Sequence, residues 1–99
     1  RPLGERATFV QFSSEVCAPC RATSRLLGEL VGQEPGVVHV ELDAAAHLDL
    51  AGELGISRTP TVLLLDSEGA VRHRIIGAPR RPDVLRALHN ILEERRHSI

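Results

Sequence analysis

Lysine, tyrosine, tryptophan and methionine are absent from this chain, and Phe9 and Phe12 are its only aromatic residues. All 12 basic residues are therefore arginine, and 13 acidic residues bring the net charge to −1. A balance that close to zero, with both signs dispersed, argues against the basic footprint of nucleic-acid binding or of an anionic membrane surface. Long apolar runs are missing too. The longest, around residues 61–65, is strand-sized, far short of the ~20 residues that cross a bilayer. Cysteine occurs only at Cys17 and Cys20, and none of the five histidines (His39, His47, His73, His89, His97) stands at H-x(3–5)-H spacing. Tetrahedral zinc wants four nitrogen or sulfur ligands, so a structural zinc centre lacks its ligands and no metal is expected.

What remains is ordinary: 42% hydrophobic and 25% charged residues over 99 positions, which suit one globular domain with one core and no need of disulfide staples. The Ala, Arg, Gly, Leu and Val bias is that of a GC-rich, bacterial-type genome. The chain opens at Arg1, which predicts a piece of a longer protein with a single domain over 1–99 and its core at about 7–95. A signal peptide or anchor upstream would have been removed. The compartment stays open between the cytoplasm and a membrane-anchored position reached through a missing N-terminal segment.

Short runs rich in β-formers at 7–12, 37–42, 61–65 and 70–76 read as strands. Between them, Ala22, Leu26, Leu27, Leu30 and Val31 recur at helical spacing from Ala18 to about Val31. Pro19 suits the first helical turn, where its missing N–H is not needed. Gly28 and Gly32 weaken this helix and mark either close packing or a cap. Residues 48–54 form a short helix stopped by Gly55. Residues 81–95 form a last helix, with Val84, Leu85, Leu88, Ile91 and Leu92 as its apolar stripe. The order β-α-β-α-β-β-α predicts an α/β fold: a mixed central sheet of about four strands with helices on both faces.

Cys17-Ala18-Pro19-Cys20 stands where the first strand hands over to the first helix, the edge at which open α/β sheets bind ligands. Two thiols at this spacing meet the short Cα separation of a disulfide. The N-terminal thiol also lies among unsatisfied N–H groups that favour its thiolate, the nucleophile of disulfide exchange. A purely structural bridge here would close too small a loop to stabilise much. Redox chemistry is the better reading.

Four segments extend that reading. They are 12–21 around the cysteines, Val40-Glu41-Leu42-Asp43, Gly55-Ile56-Ser57-Arg58-Thr59-Pro60-Thr61, and Ile76-Gly77-Ala78. In order and spacing the chain resembles the thioredoxin family from residue 7 to about 92, apart from about two extra residues around 44–48. The resemblance implies a thioredoxin-like fold without the opening strand and helix of longer members. It implies that Cys17 attacks and Cys20 resolves, and that Thr59-Pro60 forms a cis bond facing them, which only an X–Pro peptide makes cheap. Val16, Ala18, Pro19, Thr59, Pro60 and Gly77 would then contact substrate, on an apolar surface that Ala78 extends. Departures are equally plain. Val16 and Ser13 stand where the family has tryptophans, and Ala18 where it has glycine. Gln11 and His39 fall on its buried Asp and Lys. Proton transfer at Cys20 is then left to water, His39 or Glu15, with His39 expected to be a strand residue exposed on one face.

The function implied is thiol-disulfide oxidoreduction, carrying electrons without any cofactor beyond the Cys17–Cys20 disulfide itself. Ala18 and Pro19 offer a thiolate few donors, so the potential is expected nearer about −270 mV than about −120 mV, that of a reductant. Protein disulfides would be the substrates, an unidentified thiol the electron donor, and the monomer the working form. The rivals are an anchored extracytoplasmic oxidoreductase or isomerase serving dedicated clients such as cytochrome maturation, and a protein-docking module with an idle dithiol. A metal carrier is disfavoured by the lack of further ligands.

Overall fold

The computed structural model describes residues 3–97; the chain start at Arg1 lies outside them. Its elements are β1 (Ala7–Ser13), α1 (Ala18–Gly32), β2 (Val37–Asp43), a 3-10 turn (Ala44–Ala46), α2 (Leu48–Glu53), β3 (Thr61–Asp66), β4 (Val71–Ile76) and α3 (Arg81–His97). The four strands lie in the order β2-β1-β3-β4. β1 runs parallel to β2 and antiparallel to β3, and β4 closes the sheet antiparallel to β3.

Strand alternation sorts the side chains onto two faces. On one, Phe9, Val62 and Leu64 pack against Leu27 and Leu30 of α1 and Val84, Leu88 and Ile91 of α3. On the other, Phe12, Leu42 and Leu63 pack against Ala51 of α2. The short α2 covers that second face incompletely. An apolar groove of about 480 Å³ runs along it, lined by Leu3, Val10, Val40, Leu50, Leu63 and Leu65 among others.

Three local details depart from the sequence expectation. The 3-10 turn falls at the extra residues after β2, where the Asp43 carboxylate accepts from the Ala45 N–H at 2.9 Å and caps it. β4 begins at Val71 rather than at residue 70, because Asp66 Oδ1 takes the N–H groups of Glu68 (2.9 Å) and Ala70 (3.0 Å). The register then slips between Leu64 and Leu65, a bulge of one residue. Gly28 and Gly32 mark neither close packing nor a cap. Both are exposed, no atom lies within 4 Å of a Cβ built on either, and Gln33 is the residue that caps the helix.

Candidate active site

β1 ends at Ser13, and a loop of four residues carries the chain into α1 at the carboxyl edge of the sheet. Cys17 is the N-cap residue of that helix, with extended backbone (φ −155°, ψ 96°), and its Sγ accepts from the Cys20 N–H at 3.2 Å. Pro19 lies in the first turn, as its missing donor permits. The two cysteines form a disulfide across a Cα separation of 5.2 Å. Within the ring the sulfurs are not equivalent: Cys17 is half-exposed while Cys20 is 2% exposed.

The predicted contact residues differ in exposure. Val16 is 93% exposed, and Ala18 and Pro19 are exposed beside it. Thr59 is half-buried, its Oγ1 3.0 Å from Ser14 Oγ on the cysteine loop. The Thr59–Pro60 peptide bond is cis. Pro60 itself is buried and adds nothing to the exposed apolar surface expected of it. Its carbonyl accepts from the Gly77 N–H at 2.8 Å. Gly77 has a φ of +86°, a conformation side chains rarely adopt. Next to it Ile76 is 58% exposed. Sequence reasoning passed over Ile76, although alternation through Ile75-Ile76 had to turn one isoleucine outward.

Beneath the cysteines the polar residues form one chain of hydrogen bonds. Gln11 is fully buried. Its Nε2 donates its two hydrogens to the Cys20 carbonyl at 2.8 Å and Ser13 Oγ at 2.9 Å, with Glu41 Oε2 a longer third contact at 3.3 Å. Its Oε1 lies 2.9 Å from His39 Nε2. Ser13 Oγ donates to Glu41 Oε2 at 2.7 Å, and Ser24 Oγ of α1 donates to Glu41 Oε1 at 3.0 Å.

Two expectations change here. His39 is not an exposed strand histidine: it is half-buried on the α1 side of the sheet, and burial lowers its pKa from 6.5, with the Glu41 charge pulling the other way. Glu15, offered as a proton-transfer group, is exposed on the loop and stands outside this chain of bonds, although it lines the same shallow polar depression as Ser13, Ser14, Glu41 and Asp43. The carboxylate that does join the network is Glu41. Parallel pairing sets it beside Gln11, and strand alternation sets it on the same face as Ser13.

A family model described as thioredoxin matches residues 4–90. The chain belongs to the thioredoxin family. Among its relatives are a thioredoxin H-type of Ricinus communis, 30% identical over 71 residues, and the mitochondrial thioredoxin of Mus musculus, 34% identical over 74 residues. These matches take in 72% and 74% of this chain but only 59% and 44% of the two relatives. Among solved structures it resembles the long form of thioredoxin F from spinach chloroplast. That similarity has a TM-score of 0.77 at 26% identity, over 89% of this chain and 72% of the other. The oxidised mitochondrial thioredoxin 3 of Saccharomyces cerevisiae shares the fold, with a TM-score of 0.75 at 24% identity over 87% of this chain and 79% of the other. The thioredoxin-like architecture expected from the motif order is the one observed. Among the described residues no helix is long and apolar enough to cross a membrane.

Proposed function

We propose that this domain is a thiol-disulfide oxidoreductase that works as a reductant of protein disulfides, as a monomer, and is itself re-reduced by a thiol donor. The observation that carries the reading is the unequal pair: a half-exposed sulfur capping a helix and a buried one behind it, joined in a ring that the helix turn accommodates. In the reduced state the Cys17 thiolate, favoured by the N–H groups of the first turn, attacks one sulfur of a substrate disulfide. The S–S bond breaks, one substrate thiolate leaves, and a mixed disulfide forms on Cys17. Cys20 then loses its proton and attacks the Cys17 sulfur. The second substrate thiolate leaves, takes up a proton, and two electrons have passed from the dithiol to the substrate. Around this ring Val16, Ala18, Pro19, Thr59, Ile76 and Gly77 offer a shallow rim suited to an extended polypeptide. The buried Pro60 shapes that rim from behind.

The test is an equilibration in graded glutathione and dithiothreitol buffers, with free thiols counted by alkylation and mass. A midpoint below about −250 mV is expected, whereas one above about −200 mV would make the domain an oxidant or isomerase instead. A pair that never closes would sink the enzyme reading and leave a docking module. The chain contains neither tryptophan nor tyrosine, so the count of thiols replaces intrinsic fluorescence as the readout.

A further inference from the structure

Resting on that oxidoreductase reading, we propose that Glu41 is a positioning residue for Cys20, holding the resolving cysteine in place by two hydrogen-bonded routes and setting the potential of the pair with its charge. One route runs through the sheet. Glu41 Oε2 accepts from Ser13 Oγ at 2.7 Å and lies 3.3 Å from Gln11 Nε2, and Gln11 Nε2 in turn holds the Cys20 carbonyl at 2.8 Å. The other runs through the helix. Glu41 Oε1 accepts from Ser24 Oγ at 3.0 Å, and Ser24 lies one turn beyond Cys20 on the same side of α1. One carboxylate, itself exposed, thus ties β1, β2 and the first turns of α1 together around the backbone of Cys20.

The chemistry of the groups leaves the amide one orientation. A flipped Gln11 would set its oxygen against the Cys20 carbonyl and the Glu41 carboxylate, which are both acceptors. The NH₂ group must therefore face them, and the oxygen must face His39. That bond in turn requires a hydrogen on His39 Nε2. Glu41 acts on the amide chiefly through Ser13: the 2.7 Å bond takes the hydroxyl hydrogen and leaves Ser13 Oγ as the acceptor that Gln11 Nε2 meets at 2.9 Å, while the direct contact at 3.3 Å is the longest of the three. The negative charge of Glu41 opposes thiolate formation in the reduced pair. It therefore favours the closed disulfide and keeps the midpoint low.

The test compares the midpoints of the wild type, Glu41→Gln, Glu41→Ala and Asp43→Asn in glutathione buffers, with melting temperatures alongside. Glutamine keeps the length and an accepting oxygen but no charge. Asp43 lines the same depression yet makes no bond to Gln11, and asparagine can still cap Ala45. Glu41→Gln is expected to shift the equilibrium toward the reduced pair about threefold, a rise of about 14 mV at about 30 mV per tenfold. Glu41→Ala should move it at least as far, and Asp43→Asn should stay at the wild-type value. If Glu41→Gln lowers only the melting temperature, or if Asp43→Asn shifts the midpoint equally, the inference is overturned. A wild-type pair that never cycles overturns the oxidoreductase reading and this inference with it, whereas a cycling wild type beside an unmoved Glu41→Gln overturns this inference alone.

Discussion

Because Cys17 is half-exposed and Cys20 only 2% exposed, the proposed chemistry requires an incoming disulfide to meet Cys17 first. Cys20→Ser should therefore still attack but fail to resolve, so that a mixed disulfide on Cys17 accumulates in non-reducing mass spectra. Cys17→Ser should lose all disulfide-reducing activity, and any residual turnover would contradict the assigned order of attack. Gln11 carries a different burden at the same site. Its side chain satisfies the Cys20 carbonyl, Ser13 and His39 at once. Gln11→Leu strips partners from buried groups and is expected to cost about 1–3 kcal/mol. A urea unfolding midpoint equal to that of the wild type would remove Gln11 from this role. The identity of Gln11 as the residue beneath the cysteines was legible only through the resemblance, which sets it on the family's buried Asp. Its bonds were not. Its partner Glu41 lies 30 residues away, Glu41's other contacts Ser13 and Ser24 lie 28 and 17 away from it, and His39 lies 28 from Gln11. Only strand pairing and helix docking bring these polar groups together, and a single sequence does not display that register.

The secondary elements were legible for the opposite reason: their signals are local. Apolar spacing announced α1 and α3, and Pro19 announced a first helical turn. The misses were local interactions that a pattern of apolar residues does not encode, such as the Asp43 cap that winds residues 44–46 into a 3-10 turn. Gly28 is informative in the same way. It sits inside α1, exposed, with nothing within 4 Å of an added Cβ, so it contributes no packing and weakens the helix that presents both cysteines. Gly28→Ala should stabilise the protein by about 0.5–1 kcal/mol. A lowered urea midpoint would mean that α1 needs that glycine for a reason other than space.

Across the molecule, acid should act through His39. Burial holds its folded pKa below the ordinary 6.5, so the unfolded chain binds the proton more readily than the folded one. The stability this contributes is present above pH 6.5 and is lost as pH falls below that value through the folded pKa. The melting temperature should therefore decline from about pH 7 to about pH 5, and His39→Gln should flatten part of that decline. A slope unchanged in the variant would place the acid sensitivity elsewhere. Core loss would be felt globally as well. Phe9 is fully buried between the sheet and its two long helices. Phe9→Ala should cost about 3–5 kcal/mol out of a total of about 5–15 kcal/mol for a domain of this kind, measured by urea denaturation. The opposite face of the sheet has a practical consequence. Its apolar groove of about 480 Å³ is open in the folded state, so an environment-sensitive dye should light up before any heating begins. A thermal-shift trace of this 99-residue chain would then start from a bright baseline, and dye fluorescence would make a poor gauge of how much of it is unfolded.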